Sequence, residues 1–276
     1  MEPKEQYSDK DIIEKQLKTP ILKSVDKAFE ALESFNSNND GYTLRELADK
    51  INVSKGTAHR ILITAQKKGI VEKNPLTNKY HLGIKLFELG SIVANRMDLR
   101  REALPIMRKY AEITGETLYL TVKSGDEALC IERVEGKNYV KVLILDVGNK
   151  MPLNIGGGPK VLLAFMNDQE ITTFLDKKLQ ESWTENSLIE PEEVWNEIKK
   201  IRKDGYSVSF EDVVTAAAAV GAPVKNATGN VVAAISIAGS STNFIGKKRE
   251  DLIELAIQAG QEISMRLGYN QNYTVR

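Results

Sequence analysis

Cysteine is all but absent: Cys130 stands alone in 276 residues, so no internal disulfide can form, which suits a reducing cytoplasm. Histidine is nearly as scarce. His59, His81 and Cys130 are too few and too scattered for a metal site, and no cofactor is expected. No apolar run reaches 18 residues, which leaves no candidate transmembrane helix and no expected membrane partner. The opening MEPKEQYSDKDIIEKQ alternates in charge and lacks the apolar centre of a signal peptide. Net charge is missing too, with 38 Lys and Arg against 38 Asp and Glu. Catalytic constellations are equally thin. No histidine lies beyond residue 81 to serve as a base, Cys130 sits in an apolar strand pattern, and Gly156-Gly157-Gly158 lacks the spacing of a Walker or dinucleotide loop. No catalytic residue is expected, and the protein does not read as an enzyme.

What is present is a local concentration of charge. Lys50, Lys55, Arg60, Lys67, Lys68, Lys73, Lys79 and Lys85 fall in one stretch against a single acid, Glu72, with both histidines among them. Such a patch attracts phosphates even when the whole molecule is neutral. Residues 1–20 read as a flexible arm or a short helix. From Ser24, the residues Val25, Ala28, Phe29, Leu32 and Phe35 recur at helical spacing. Thr43 and Glu46 form a capping box for a second helix reaching Ile51. Ser54 is placed to cap a third, which runs to about Lys68-Gly69. Ile70–Lys73 and Lys79–Leu82, around Asn74-Pro75-Leu76-Thr77-Asn78, then read as a β-hairpin. Three helices and a hairpin outline a winged helix-turn-helix over 21–83.

On the third helix Ala58, Ile61, Leu62 and Ala65 face inward, while Gly56, Arg60, Ile63 and Lys67 face out, with His59 and Thr64 at the margins. That outer face suits a major groove: arginine grips guanine O6 and N7 together, and Gly56 lets the backbone come close. Ser54, Lys55 and Thr57 at the helix start would meet phosphate, and Lys73 and Lys79 on the wing an adjacent phosphate or minor groove. The expected partner is double-stranded operator DNA.

Residues 84–115 read as two helices, a linker and dimer surface, although packing against the chain's own domain fits the same stripes. Pro105 should kink the second helix or end its first turn. Beyond Gly115 the period becomes strand-like at Thr117–Lys123, Ala128–Val134 and Tyr139–Leu145. Helices follow near 159–166, 168–178 and 191–204. Strands return at Tyr206–Glu211, Ala218–Lys225 and Val231–Ala238, and a final helix covers 249–267. Hairpins with intervening helices indicate an α+β domain around an antiparallel sheet over 116–270.

Val53-Ser54-Lys55-Gly56-Thr57-Ala58-His59-Arg60-Ile61-Leu62, Lys68-Gly69-Ile70-Val71-Glu72 and Lys79-Tyr80-His81-Leu82-Gly83 together resemble the recognition helix and wing of IclR-type transcription regulators. Gly205-Tyr206, Gly221-Ala222-Pro223-Val224 and Val232-Ala233-Ala234-Ile235-Ser236-Ile237-Ala238-Gly239 extend the resemblance, which covers about residues 21–268. It implies a GAF/PAS-like effector domain that binds a small molecule, often a carboxylic acid. It further implies a homodimer or homotetramer on a palindromic or repeated operator, and repression more often than activation.

Met151-Pro152-Leu153-Asn154-Ile155-Gly156-Gly157-Gly158-Pro159-Lys160 precedes an apolar helix. Three glycines permit positive φ and close approach to a ligand, and unpaired amides at a helix start favour an anion. The resemblance makes Asn154, Gly156, Gly157 and Gly158 effector candidates; a lysine at Lys160 is more often structural or solvent-facing. Ser236 shares a strand face with Ala234 and Ala238, which admits either a cavity contact or a bond to neighbouring backbone. An acidic pocket residue after Gly205-Tyr206 is expected at Glu211 or Asp212, with Ser209 competing. Asn154 replaces the family's usual histidine, Ala216–Ala219 replace a Gly-Leu-Arg-Cys-like string, making Ala219 a wall residue, and Ala238 replaces a second serine. These departures imply an effector larger or less polar than two-carbon acids, or lost effector control. The alternative is a DNA-binding protein whose C-terminal domain only oligomerises.

Overall fold

A computed structural model describes residues 22–35, 40–96, 98–138, 143–177 and 180–270. The arm at 1–20 lies outside them, as do residues 139–142 of the strand expected at Tyr139–Leu145. The chain divides into two compact units, with the boundary between Ala94 and Asn95.

The first unit holds α1 (Lys23–Glu33), α2 (Leu44–Lys50), α3 (Lys55–Lys67), β1 (Val71–Lys73), β2 (Tyr80–Leu82) and α4 (Lys85–Arg96). Helix α2 starts as its sequence dictates. Thr43 Oγ1 accepts from Glu46 N at 3.3 Å, and Glu46 Oε2 accepts from Thr43 N at 2.8 Å, so two amides that the helix leaves unpaired are satisfied reciprocally. Ser54 Oγ caps α3 by accepting from Thr57 N at 3.2 Å. Gly69, at φ +68°, ends that helix in a conformation costly for any other residue. The hairpin pairs Val71 with Leu82 and Lys73 with Tyr80, and Tyr42 bridges Tyr80 from the other side. Leu47, Ile51, Leu62, Val71 and Tyr80 close a small core with Ala31 and Tyr42.

The second unit holds α5 (Asp98–Thr114), β3 (Thr117–Ser124), β4 (Glu127–Val134), β5 (Lys150–Pro152), α6 (Gly157–Ala164), α7 (Asp168–Asp176), α8 (Pro191–Asp204), β6 (Ser207–Phe210), β7 (Ala217–Lys225), β8 (Val231–Ser240), a 3-10 turn at Ser241–Asn243, and α9 (Gly246–Arg266). The six strands form one antiparallel sheet in the order β5-β4-β3-β8-β7-β6. Strand alternation gives each face its own core. Leu118, Leu120, Val220, Ile235 and Ile237 pack with α5 and α9. Tyr119, Cys130, Ala219, Ala234 and Ala238 turn the other way, toward α6, α7 and α8.

The stretch 84–115 holds two helices, as its stripes indicated. Ala103, Ile106, Met107, Tyr110 and Ala111 of α5 are buried in the second unit's core, so the second of these helices packs on its own domain, the alternative its stripes also allowed. Of the two outcomes expected for Pro105, ending the first turn of α5 is not what happens; the proline sits inside a helix that continues on both sides. The strand paired to β4 is Lys150–Pro152, while 143–145 are not extended pairing partners. A short apolar run is rewarded equally by a strand ladder and by any other buried wall, and periodicity does not separate the two.

Candidate functional site

In the first unit, the Ser54 cap and the buried Ala58 and Leu62 fix the rotation of α3. Lys55, Gly56, His59, Arg60, Thr64 and Lys67 are thereby exposed, and Thr57 is half-buried beside Ser54, with the two hydroxyl oxygens 3.0 Å apart. Thr64 donates its hydroxyl proton to the Arg60 carbonyl at 2.7 Å, so as a donor it is already committed to its own helix. Thr57, Arg60 and Thr64 form one rim of an open groove whose other rim is Val25, Ala28 and Phe29 of α1. On the wing, Lys73 is exposed with Nζ 5.5 Å from the centre of the Tyr80 ring. On the same wing the Lys79 Nζ lies 3.5 Å from Asp40 Oδ2, a solvent-exposed pairing of the kind worth little. Counting charge within 50–85 overlooked an acid ten residues upstream that the Tyr42–Tyr80 bridge brings alongside.

In the second unit the glycine run opens α6. Gly156 takes φ +82°, which turns the chain from β5 into the helix. Gly157 rests directly on the sheet. A side-chain carbon added at Gly221 would stand 2.4 Å from the Gly157 carbonyl oxygen, so Gly221 must lack one, whereas a carbon at Gly157 would meet Val220 at a tight 3.1 Å. Beside this close approach lies a half-open pocket of about 50 Å³ between the start of α6, the inner face of β3, β7 and β8, and the segment 144–151. Of the candidates, Gly156, Gly157, Gly158, Ser209, Ala219 and Ser236 line it.

Two candidates stand elsewhere. Asn154 is buried but holds a loop: its Nδ2 donates to the Glu181 and Leu188 carbonyls at 2.9 and 2.8 Å, and its Oδ1 accepts from Glu181 N. Glu211, at φ +55°, turns its carboxylate to Ala216 N and the Ser241 hydroxyl and braces the loop into β7. Lys160 is buried and structural, donating to Asp212 Oδ2 at 2.8 Å and to the Val208 carbonyl at 2.7 Å. Asp212 in turn accepts from Ser209 Oγ and from Gly156 N. Its charge is thus matched within the wall.

Ser236 is different. It is 5% exposed, it faces the cavity, and among the described residues its hydroxyl has no hydrogen-bond partner. The amides of Gly157 and Gly158 likewise have no protein acceptor, since α6 starts without a side-chain cap. These groups line the pocket, where they are available to whatever occupies it. Thr121, missed in the sequence, stands close by, its Oγ1 donating to the Ala234 carbonyl at 3.4 Å. Also missed were Tyr119, Ile144, Leu145, Met151, Val213 and Ala217. The period-two pattern of β3 marks Tyr119 and Thr121 as one face, but which face lies inward depends on β8 more than a hundred residues later. Burial pushes the Tyr119 phenol up to about 12, and its oxygen is engaged at the Ile144 backbone. Cys130 is buried and its thiol is pushed up to about 11, also by burial, which makes it unreactive.

Residues 24–75 match the IclR helix-turn-helix domain, and residues 91–265 match the C-terminal domain of the bacterial transcriptional regulator IclR. The chain belongs to the IclR family of transcriptional regulators. HTH-type transcriptional regulator KipR of Bacillus subtilis is 30% identical over 82% of this chain and 90% of its own length. The crystal structure of the Thermotoga maritima IclR superposes with a TM-score of 0.70 at 31% identity, covering 90% of this chain and 100% of that one. An IclR homologue from Microbacterium hydrocarbonoxydans, solved in complex with 4-hydroxybenzoate, shares the fold with a TM-score of 0.78 at 23% identity over 88% of this chain and 98% of that one. As an IclR-family member the chain is a DNA-binding regulator of transcription with a C-terminal effector domain, and the relatives it matches are regulators rather than enzymes. Among the described residues no helix is long and apolar enough to cross a membrane.

Proposed function

We propose that this IclR-family protein is a ligand-responsive repressor. It grips double-stranded operator DNA through α3 as a homodimer or a dimer of dimers, in the cytoplasm where that DNA resides, and releases it when a small organic acid enters the second unit. Arg60 reads bases, with Lys55, Gly56, His59 and Lys67 around it and the Ser54–Thr57 turn and Lys73 on phosphate. Repression asks least of the molecule: a protein seated on an operator obstructs polymerase without needing a surface that recruits it.

What supports a sensor over a bare oligomerisation module is the pocket. Gly157, Gly158 and Ser236 all line it, and among the described residues their amides and hydroxyl have no protein partner, an arrangement suited to a carboxylate at a helix start. That a homologue with the same fold holds 4-hydroxybenzoate points to the same class of ligand. The ligand can shift DNA occupancy only by binding one arrangement of the protein better than another.

A gel-shift titration with operator and competitor fragments tests the DNA half. Arg60→Ala is expected to abolish the preference for operator, while Lys73→Ala weakens binding to all fragments alike. Unchanged operator preference in Arg60→Ala would remove Arg60 from the readout. For the sensing half, a panel of organic acids is expected to raise the melting temperature of the parent and to do so much less for Ser236→Ala.

A further inference from the structure

We infer that Leu76, at the tip of the wing, is an apolar wedge that enters the minor groove of the bound DNA and favours easily unstacked pyrimidine–purine steps there. This rests on the reading in which α3 meets the major groove and concerns what the wing does beside it. Leu76 is 92% exposed. A lone apolar side chain at the surface is ordinary, but this one is held out on a turn that its own hydrogen bonds close. Asn74 Oδ1 accepts from Leu76 N at 2.9 Å and from Thr77 N at 3.3 Å. Asn74 N donates to the Lys79 carbonyl at 2.8 Å, Asn78 N to the Asn74 carbonyl at 2.9 Å, and Lys79 N to Thr77 Oγ1 at 3.3 Å. Pro75 fixes its own φ and has no amide to satisfy, so every backbone donor of the turn is spent within it.

The surroundings suit a nucleic-acid groove. Asn74-Pro75-Leu76-Thr77-Asn78 carries no charge, and a lysine stands at each end of it. Lys73 is exposed, and Lys79 is held only by the weak exposed pair with Asp40, which a phosphate can replace. Glu72, the acid of the hairpin, accepts from Ile84 N at 3.4 Å, beyond the end of β2 that lies far from the turn. Leu62 of α3 shares one core with Val71 and Tyr80 of the hairpin, so the tip keeps a fixed station relative to the helix. Lysines on phosphates with an uncharged apolar tip between them make a minor-groove wedge, which partly unstacks one base step and bends the duplex. Burying a leucine is equivalent to about tenfold to a hundredfold in affinity. Unstacking takes back part of that gain, least at flexible TA and CA steps.

Selection from a random-sequence duplex library by the full-length protein tests this, run in parallel with Leu76→Ser, Leu76→Met and Arg60→Ala. The parent is expected to enrich TA or CA steps flanking the bases that α3 specifies. Leu76→Ser is expected to lose that flanking preference, to keep the central one, and to bind the parent's best duplex about tenfold more weakly. Its urea midpoint should stay where the parent's is, because so exposed a side chain packs on nothing. Leu76→Met is expected to keep both preferences. A fluorescent base analogue at the flanking step should brighten when the parent or Leu76→Met binds, and not when Leu76→Ser does. A parent that enriches no flanking step, or a Leu76→Ser variant that retains the parent's flanking preference, overturns the inference and leaves base reading by α3 intact. Arg60→Ala with the parent's central preference removes Arg60 from the readout and leaves the wedge standing. A parent that enriches no sequence at all overturns both.

Discussion

Glu116 shows how far a single side chain can govern pH response. It is buried where α5 turns into β3, and one carboxylate oxygen accepts from both Asn138 Nδ2 at 2.9 Å and Asn243 Nδ2 at 2.8 Å. Burial raises its pKa above the ordinary 4.5, and the two amides only partly offset this. A carboxyl with a raised native pKa holds its proton more tightly folded than unfolded. Its contribution to stability is therefore complete below the unfolded value and fades as pH rises through the native one. Glu116→Gln keeps the accepting oxygen and removes the charge. Its unfolding free energy should vary less than the parent's between about pH 4 and pH 7, and at pH 7 it should be at least as stable. Urea titrations at several pH values check this; a variant destabilised at neutral pH would mean that the charge itself is needed.

Among the elements, α6 and its seat on the sheet are the most exacting. Gly221→Ala would force a carbon into the Gly157 backbone and within 2.8 Å of Ser207 Oγ, and overpacking of this kind costs about 1–3 kcal/mol. We expect a lower urea midpoint for Gly221→Ala, together with weaker ligand binding because the donors of Gly157 and Gly158 are displaced. An unchanged midpoint would show that the helix start is loosely held. These elements were unevenly legible in the sequence. The Thr43–Glu46 box and the Ser54 cap could be read because partners lie three residues apart, and β3, β7 and β8 because period two repeats over eight or more residues. The roles of Asn154 and Glu211 could not, and for Lys160 a structural role was legible but not its partner. Asn154 reaches carbonyls 27 and 34 residues on, Lys160 an acid 52 residues on and Glu211 a hydroxyl 30 residues on, and a polar residue near a glycine run looks the same whether it greets a ligand or ties down a loop. β5 went unread because three residues of strand leave too little pattern, whereas the apolar run before it is conspicuous and supplies cavity wall through Ile144 and Leu145.

For the molecule as a whole, the open question is assembly. Ile84, Phe87, Leu89 and Ile92 on and just before α4 are all exposed, Phe87 by 72%, and clustered apolar exposure of this kind marks an interaction surface. If α4 is the dimer seam, the double substitution Phe87→Lys, Ile92→Lys should yield a monomer at micromolar concentration by light scattering, with helix content retained. Operator affinity should fall at least tenfold as the paired half-sites lose their paired reader. A variant that stays dimeric and binds operator normally would move the seam elsewhere.

The methyl-lined wall of the cavity has an evolutionary corollary. Ala217, Ala219 and Ala238 come from two neighbouring strands whose backbone is held by the sheet and by the glycine contact, not by those side chains. Each alanine codon lies one nucleotide from serine, threonine or valine, so polarity or bulk can be installed point by point without disturbing the frame. If the proposed sensing holds, such a pocket can be retuned to a new ligand in single mutational steps, which makes the chain a practical starting scaffold for engineered metabolite reporters.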